Sequence, residues 1–258
     1  MTAKTVLITG MSGLIGGAVR RRLEGRYTLV ALNRRPVEGV HCHQGDIRDL
    51  GAIEPAFAGV DVVVHLAAKV DSGASWEAVL ADNLIGTHNV FEACRRARVK
   101  RIVYASSGAT ISGYEREPPY SALAAGRYED VTEWATLTHE TPVRPAGLYG
   151  CSKVWGEALG RYYADTHGIS VICLRIGAVN QEDRPLSPRQ FSVWCSQRDI
   201  AQMVERCIAA PESLRFDIFY VVSNNKWGYR DLEHARQVVG YEPEDRAEDH
   251  RAAAGTAP

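Results

Sequence analysis

A tyrosine and a lysine stand four residues apart, at Tyr149 and Lys153, in a stretch whose pattern predicts a helix continuing to His167. Residues at this spacing share one helical face. A nearby ammonium favours the phenolate, so we expect Lys153 to lower the tyrosine pKa from its ordinary value of about 10. Ser107, at the predicted end of a strand, adds a hydroxyl that could orient a substrate oxygen. Together the three form an acid–base set in which Tyr149 takes a hydroxyl proton while a hydride leaves the adjacent carbon.

A glycine-rich turn lies far upstream of this set. Gly10, Gly13 and Gly16 follow the β-branched and apolar run 4–9, and a helical pattern follows them. Strand, glycine loop and helix in this order are typical of a dinucleotide site, where the backbone approaches a pyrophosphate and the helix N-terminus faces it. An ordinary strand-to-helix turn is the alternative when the glycine pattern is taken alone.

The end of the second predicted strand carries the signal for the cofactor. An acidic residue there holds a ribose 2′-hydroxyl, whereas an arginine accommodates a 2′-phosphate. Here Asn33 replaces the acid, and Arg34 and Arg35 follow it. The sequence therefore favours NADP over NAD. NAD stays open because Asn33 can bond a hydroxyl and because the two arginines could be solvated surface charges.

Strand and helix patterns alternate along the chain and predict an α/β fold, a doubly wound parallel sheet. The predicted strands are 4–9, 27–32, 40–44, 60–66, 101–107, 170–176 and 216–222. The predicted helices are 18–22, 50–57, 75–97, 147–167, 198–209 and 230–239, and 108–145 is predicted as a long lid or loop. We expect a dinucleotide-binding Rossmann core at 1–176, a small substrate cap at 177–241 and a loose tail at 242–258.

Composition narrows the class of partner. Among 258 residues, 30 Lys and Arg balance 31 Asp and Glu, which gives no reason to expect nucleic acid or an anionic membrane as partner. No apolar stretch approaches the roughly 18 residues that span a bilayer, so we expect a cytoplasmic protein with a small-molecule substrate. The six cysteines have no paired spacing, and His41-Cys42-His43 cannot converge on one ion in an extended segment, so no metal is predicted. We interpret His65 as a satisfied core histidine.

Seven short motifs together carry a family resemblance over nearly the whole chain. They are Thr9-Gly10-x-x-Gly13-x-x-Gly16, Gly45-Asp46-Ile47, His65-Leu66-Ala67-Ala68, Asn83-x-x-Gly86-Thr87, Ser106-Ser107, Tyr149-x-x-x-Lys153 and Leu174-Arg175. The sequence resembles the extended short-chain dehydrogenase/reductase, or NAD-dependent epimerase/dehydratase, family. Within it the stretches 144–153, 174–177 and 191–199 look most like uronate dehydrogenases and haloarchaeal-type glucose-6-phosphate dehydrogenases.

The resemblance implies roles for particular residues. Tyr149 would be the base, Lys153 its electrostatic partner and Ser107 the orienting hydroxyl, while Ser107, Gly108 and Arg189 would bind the substrate. The implied cofactor-binding residues are Gly10, Ser12, Gly13, Leu14, Ile15, Gly16, Asn33, Arg34, Asp46, Ile47, Leu66, Ala67, Ala68, Asn83 and Ile176. A homodimer through the helices that carry Asn83 and Tyr149 is also implied.

The resemblance further implies NAD(P)-dependent oxidation of a small sugar or sugar derivative (aldose, uronate or sugar phosphate) at the anomeric carbon to a lactone. A nucleotide-sugar epimerase, dehydratase or reductase is the first alternative, and a cofactor-sensing protein without turnover is the second. Three departures leave the substrate open. Relatives often carry Asn-His where this chain has Gly108-Ala109, a polar residue where it has Ala178, and an acid where it has Asn33.

Overall fold

One parallel sheet is the centre of the computed structural model, which describes residues 3–70 and 73–253. Its strands are β1 (Thr5–Thr9), β2 (Thr28–Asn33), β3 (His41–Gln44), β4 (Val62–His65), β5 (Arg101–Ser107), β6 (Ser170–Ile176) and β7 (Phe216–Val221). They lie in the order β3-β2-β1-β4-β5-β6-β7. All seven predicted strands are present, and the Rossmann-like α/β fold is confirmed.

Helices cover both faces of this sheet. The α-helices of the described residues are α1 (Leu14–Leu23), α2 (Leu50–Ile53), α3 (Trp76–Ala78), α4 (Gly86–Ala97), α5 (Tyr120–Ala125), α6 (Leu148–His167), α7 (Gln190–Val193), α8 (Gln197–Ala209) and α9 (Glu233–Val239). A π-helix, Val79–Ile85, joins α3 to α4, so the helix predicted at 75–97 is continuous but wider in its middle. None of the described helices combines the length and the apolar character needed to cross a membrane.

The strand order creates a crevice at the carboxyl ends of the strands. The chain adds β2 and β3 on one side of β1 and then places β4 on its other side. Ligands of open α/β sheets bind at such a reversal, outside the carboxyl ends of the strands. The central strands are buried on both faces, as the unexposed Val6, Leu7 and Ile8 illustrate, because helices lie on each side.

Glycines in α6 let this helix lie close to the sheet. A Cβ on Gly156 would overlap the hydroxyl of Tyr104, and one on Gly160 would come within 2.9 Å of Val171. This close approach brings Lys153, one turn earlier, against the end of β5, where its ammonium donates to the carbonyl of Ala105 at 2.7 Å.

A buried ion pair joins α6 to three strands. Arg175 donates from Nε and Nη2 to the two carboxylate oxygens of Glu157, each at 2.9 Å. Ser106 donates to the same carboxylate at 2.6 Å, and Arg175 Nη1 bonds the hydroxyl of Tyr220 at 3.0 Å. Each charge is thus paired and hydrogen-bonded, as burial requires.

The stretch 108–145, predicted as a loop, contains helical turns. Gly108–Arg116 and Tyr128–Asp130 are 3₁₀-helices, and α5 lies between them. Backbone bonds of 2.7 Å from Gly113 to Arg144 and 2.8 Å from Arg144 to Thr110 tie its two ends together. Contacts between residues distant in the chain therefore hold this stretch in place, and the local sequence does not show them.

The range 177–241, predicted as a cap, also supplies layers of the core. β7 is the edge strand of the main sheet, beside β6, and α8 packs against α1. From this range, 177–179, Arg189 and Arg230 reach the ligand crevice. The predicted boundary at 176 therefore separates chain segments that share one sheet.

The tail, predicted as loose from residue 242, is held to α8 as far as it is described. Asp199 accepts hydrogen bonds from Ser223 Oγ at 2.6 Å and from the backbone N–H of Glu244 at 2.7 Å. Ala247 is fully buried and begins a 3₁₀-helix, Ala247–Ala253. The sequence did not predict that Asp199 would hold the tail. Residues 254–258 of the predicted tail lie outside the described residues.

Candidate active site

A cavity of about 1260 Å³ opens at the carboxyl ends of the strands. This exceeds the roughly 300–1,000 Å³ of ordinary small-molecule sites, which leaves room for a dinucleotide and a small substrate together. Every predicted site residue except Asn83 lines it, namely Gly10, Ser12, Gly13, Leu14, Ile15, Gly16, Asn33, Arg34, Asp46, Ile47, Leu66, Ala67, Ala68, Ser107, Gly108, Tyr149, Lys153, Ile176 and Arg189.

The glycine loop forms a cradle whose space a side chain would fill. Gly10 has a φ of +72°, and a Cβ there would approach the backbone of Ala67 to 3.1 Å. A Cβ on Gly16 would overlap the backbone of Met11. At the N-terminus of α1, Gly13 provides no side-chain cap and the first turn holds no acid. Free backbone donors and the positive end of the helix dipole therefore fit a pyrophosphate.

The adenosine end of the cavity contains an unpaired acceptor. Asn33 Nδ2 donates to Ser12 Oγ at 2.6 Å, whereas the buried Asn33 Oδ1 has no hydrogen-bond partner among the described residues. Arg34 is exposed at the rim. Asp46 accepts from Arg48 Nε at 2.9 Å, and this hydrogen bond lowers the pKa of the Asp46 carboxyl. An acceptor and a cation thus stand side by side where the ribose would lie.

The helix that follows Asp46 is capped by a different acidic residue, so Asp46 is not needed there. Asp49 caps α2, because its side chain accepts the N–H of Ala52 at 3.1 Å. Asp46 remains directed to Arg48 and the cavity.

Asn83 does not line the cavity but holds one of its walls. Its Oδ1 accepts the N–H of Lys69 at 2.7 Å, and its Nδ2 donates to the Lys69 carbonyl and to Ser152 Oγ, each at 3.0 Å. These bonds tie the segment after Ala68 to α6, which also carries Tyr149 and Lys153. The cofactor contact that the resemblance implies for Asn83 stays a prediction.

The predicted acid–base residues meet at the centre of the cavity. Lys153 is 3% exposed, and its Nζ lies 5.6 Å from the ring centroid of Tyr149. Burial lowers the pKa of Lys153 to about 7, although the charges of Cys173 and Glu157 oppose this. Burial raises the pKa of Tyr149, and a hydrogen bond with Ser107 opposes that rise.

The expectation that Lys153 lowers the pKa of Tyr149 is not met in the protein without bound cofactor or substrate. The ammonium faces the ring of Tyr149 and donates to Ala105 instead of the phenol oxygen. Desolvation is consequently the largest influence on the pKa of both groups, and each is driven toward its neutral form.

Arg189 reaches the cavity but already has an anionic partner. Its Nε and Nη2 donate to the carboxylate of Glu115 at 2.5 and 2.8 Å, and Tyr229 donates to the same carboxylate at 2.6 Å. Although burial raises the pKa of Glu115, Arg189 and Arg230 outweigh it and hold that pKa below its usual value. Glu115 lay within the predicted loop and was not anticipated.

Arg230 is a second cavity arginine that the sequence did not predict. The sequence predicts a helix that starts at this position, but α9 begins at Glu233. Arg230 instead pairs with Leu137 in an isolated parallel bridge and extends into the cavity. Gly108 leaves room for the guanidinium because it has no side chain, but the sequence alone does not indicate which residue fills that space.

Two histidine groups outside the cavity have structural explanations. His65 is buried, with Nδ1 2.8 Å from Thr9 Oγ1 and Nε2 3.2 Å from Thr87 Oγ1, consistent with a satisfied core residue. His139, Asp217 and His234 bring potential metal ligands within 4.8 Å of one another. Stacking of the two imidazoles and a 2.8 Å bond from His234 to Asp217 account for this proximity.

Known proteins resemble the chain over nearly its full length. NAD-dependent glucose-6-phosphate dehydrogenase of Haloferax volcanii is 34% identical over 252 residues, which are 94% of each chain. L-arabinose 1-dehydrogenase (NAD(P)(+)) of the same organism is 33% identical over 255 residues, covering 94% of this chain and 97% of the relative. The crystal structure of uronate dehydrogenase from Agrobacterium tumefaciens superposes with a TM-score of 0.84 at 32% identity, covering 100% of this chain and 91% of that one.

The family model agrees with these relatives. The model described as the NAD dependent epimerase/dehydratase family matches residues 6–191, a range that includes the glycine loop, Ser107, Tyr149 and Lys153. The resemblance inferred from the motifs is confirmed. The chain belongs to the NAD dependent epimerase/dehydratase family.

Proposed function

We propose that this protein is an NAD(P)-dependent dehydrogenase that oxidises a small sugar or sugar derivative at the anomeric carbon to a lactone. The observation that carries the proposal is the convergence of Ser107, Tyr149 and Lys153 in one cavity with the glycine cradle. The full-length similarity to sugar dehydrogenases supports the substrate class.

The chain's own residues divide the work of the reaction. Gly10, Gly13 and Gly16 would hold the dinucleotide pyrophosphate, and the bound nicotinamide would supply the hydride acceptor. Lys153, whose pKa of about 7 leaves it partly neutral near neutral pH, accepts the phenol proton of Tyr149. The resulting phenolate takes the proton of the anomeric hydroxyl, and Ser107 orients that hydroxyl through the hydrogen bond that it shares with Tyr149.

For the cofactor we propose NAD, with NADP also accepted, whereas the sequence alone favours NADP. The unpaired Asn33 Oδ1 suits a ribose hydroxyl, which donates a hydrogen bond, better than a phosphate dianion, which only accepts. Arg34 and Arg35 at the rim would admit the 2′-phosphate. Two relatives are named as NAD-dependent and NAD(P)(+)-dependent enzymes.

We also propose that the protein is a cytoplasmic homodimer. Large apolar side chains stand exposed on the helical segments implied in pairing, namely Trp76, Ile85, Leu148 and Tyr162. Trp76 and Leu148 line one shallow cleft together with Trp155. Exposed apolar patches of this kind mark association surfaces. All six cysteines are free, which suits a reducing compartment.

Replacing Tyr149 by Phe tests the mechanism. We expect the reduction of NAD or NADP by a panel of aldoses, uronates and sugar phosphates to fall at least about a hundredfold, since a general base contributes about 10²–10⁴. Cofactor affinity should change little, because the glycine cradle is untouched. Steady-state absorbance of the reduced cofactor and calorimetric cofactor binding provide the two readouts.

The panel separates this proposal from its alternatives. Stoichiometric formation of reduced cofactor by the wild-type protein supports a dehydrogenase. Sugar conversion without net reduction of added cofactor would indicate an epimerase or dehydratase instead. Cofactor binding with no conversion of any sugar would indicate a sensing protein.

A further inference from the structure

Arg230 is a buried cation that forms no ion pair with a carboxylate of the described residues. It is 5% exposed and lines the cavity, yet its Nε and Nη1 have no hydrogen-bond partner. No carboxylate of the described residues lies within ion-pair distance of it. An unpaired buried charge is strongly unfavourable, so the geometry indicates that a partner is supplied from the cavity.

The backbone around Arg230 fixes the direction of this side chain. Leu137 donates its N–H to the Tyr229 carbonyl at 2.7 Å and accepts from the Asp231 N–H at 3.0 Å. The bridge clamps Arg230 from both sides, and its guanidinium carbon lies 5.9 Å from the Tyr229 ring centroid. The held backbone fixes where the side chain leaves the chain, and from there the guanidinium reaches the cavity wall beside Gly108.

Gly108 supplies the space into which the guanidinium fits. A Cβ on Gly108 would overlap the guanidinium carbon and both terminal nitrogens of Arg230. Gly108 directly follows Ser107, so the guanidinium lies beside the orienting hydroxyl of the acid–base set. The residue pair therefore forms a cationic wall next to the reacting group.

Two arginines and one carboxylate at the substrate end leave one positive charge in excess. Arg189 makes two hydrogen bonds to Glu115, whereas Arg230 acts on that carboxylate only through its charge. Tyr229, which donates to Glu115, strengthens that pair. An anion entering the cavity would have to displace Glu115 to gain Arg189, whereas Arg230 is free to receive it.

We propose that Arg230 binds an oxyanion of the sugar substrate, a carboxylate or a phosphate, on the Ser107 side of the cavity. This inference rests on the proposed function and adds an anion site distinct from Arg189. Guanidinium nitrogens bind either oxyanion through paired hydrogen bonds. The enzyme thereby selects anionic sugars over neutral ones.

The test compares D-glucuronate, D-glucose 6-phosphate and D-glucose in the wild-type protein and in Arg230→Gln. We expect the ratio of kcat/KM for the preferred anionic sugar to that for glucose to fall about tenfold to a hundredfold in the variant, the usual effect of losing a charged hydrogen bond. The loss should fall on KM, with kcat changed little. Comparison of the two anionic sugars identifies carboxylate or phosphate. Arg161→Gln removes an exposed arginine from α6 and is the matched control.

Gly108→Ala provides a second variant that keeps the arginine. Its Cβ displaces the guanidinium, so the anionic-to-neutral ratio should fall as in Arg230→Gln. Unchanged ratios in both variants would overturn the proposal. Calorimetry with inorganic phosphate tests anion binding by Arg230 independently of turnover. Wild-type protein should bind phosphate at a site that Arg230→Gln lacks, and identical binding by both would contradict the anion site even if every sugar proved inactive.

Discussion

Lys153 and Tyr149 show how burial reverses an expectation based on charge alone. The pKa of the lysine falls to about 7, whereas that of the tyrosine rises. The first proton to leave the pair as pH increases is therefore the lysine proton. Lys153 is chemically useful because the fold places a base beside the phenol, and this placement destabilises the folded protein while the lysine is charged.

Lys153→Met should abolish turnover and stabilise the fold. The lysine pKa is lowered from 10.5 in the unfolded chain to about 7, so its unfavourable effect is fully present below pH 7 and disappears above about 10.5. We expect the variant's free energy of unfolding to increase by about 3 kcal/mol at pH 7, after allowing for the lost bond to Ala105. The gain should diminish as pH rises toward 10.

Urea unfolding at several pH values measures this effect. Lys100→Met, which changes an exposed lysine, is the control and should show almost no gain. A Lys153→Met protein less stable than the wild type at pH 7 would show that the lysine is favourably solvated in the cavity.

At the scale of elements, the ion pair of Glu157 and Arg175 joins α6 to the strands beside the proposed catalytic residues. Glu157 is on α6, one turn beyond Lys153, and Arg175 is on β6. Ser106, next to Ser107 on β5, donates to Glu157. The network therefore holds α6, which carries the proposed base Tyr149, against β5, which carries Ser107.

Glu157→Gln should destabilise the protein by about 3–5 kcal/mol, because it leaves the guanidinium of Arg175 buried without a counter-charge. Asp165→Asn, in the exposed Arg161–Asp165 pair of the same helix, should cost less than about 1 kcal/mol. Denaturant unfolding of the two variants gives the comparison. Equal losses would show that the buried pair contributes no more than a surface pair.

Sequence reasoning succeeded where one local pattern determines an element. The apolar strands and the glycine loop are of this kind, and they lead directly to the residues around the cavity. It failed where a contact joins distant segments. Nothing near Arg230 in the sequence indicates that it faces Gly108, and nothing in 108–116 indicates that Glu115 neutralises Arg189. The same holds for Asp199, whose contacts with the tail exist only after folding.

For the whole molecule, the exposed apolar side chains of the α3–α4 segment and α6 are the main feature that a monomer leaves unexplained. Ile85 is 44% exposed and Tyr162 52%. Both lie on segments adjacent to the cavity wall, since Asn83 and Tyr149 belong to the same helical stretches. A dimer formed through these helices would hold the cavity wall in place from its outer side.

Ile85→Glu combined with Tyr162→Glu should convert the proposed dimer to a monomer, because two charges would be buried at the interface of each subunit. Light scattering after size-exclusion chromatography measures the mass. Leu186→Glu, 49% exposed and outside these helices, is the control and should leave the mass unchanged. A monomeric wild-type protein would contradict the dimer.

The fit of Gly108 against Arg230 also couples changes at these two positions over evolution. A side chain gained at position 108 would push the guanidinium, the far end of a flexible side chain, out of its place. A substitution at 108 therefore also changes how the cavity presents Arg230. Loss of Arg230, in turn, opens the space that a side chain at 108 would need.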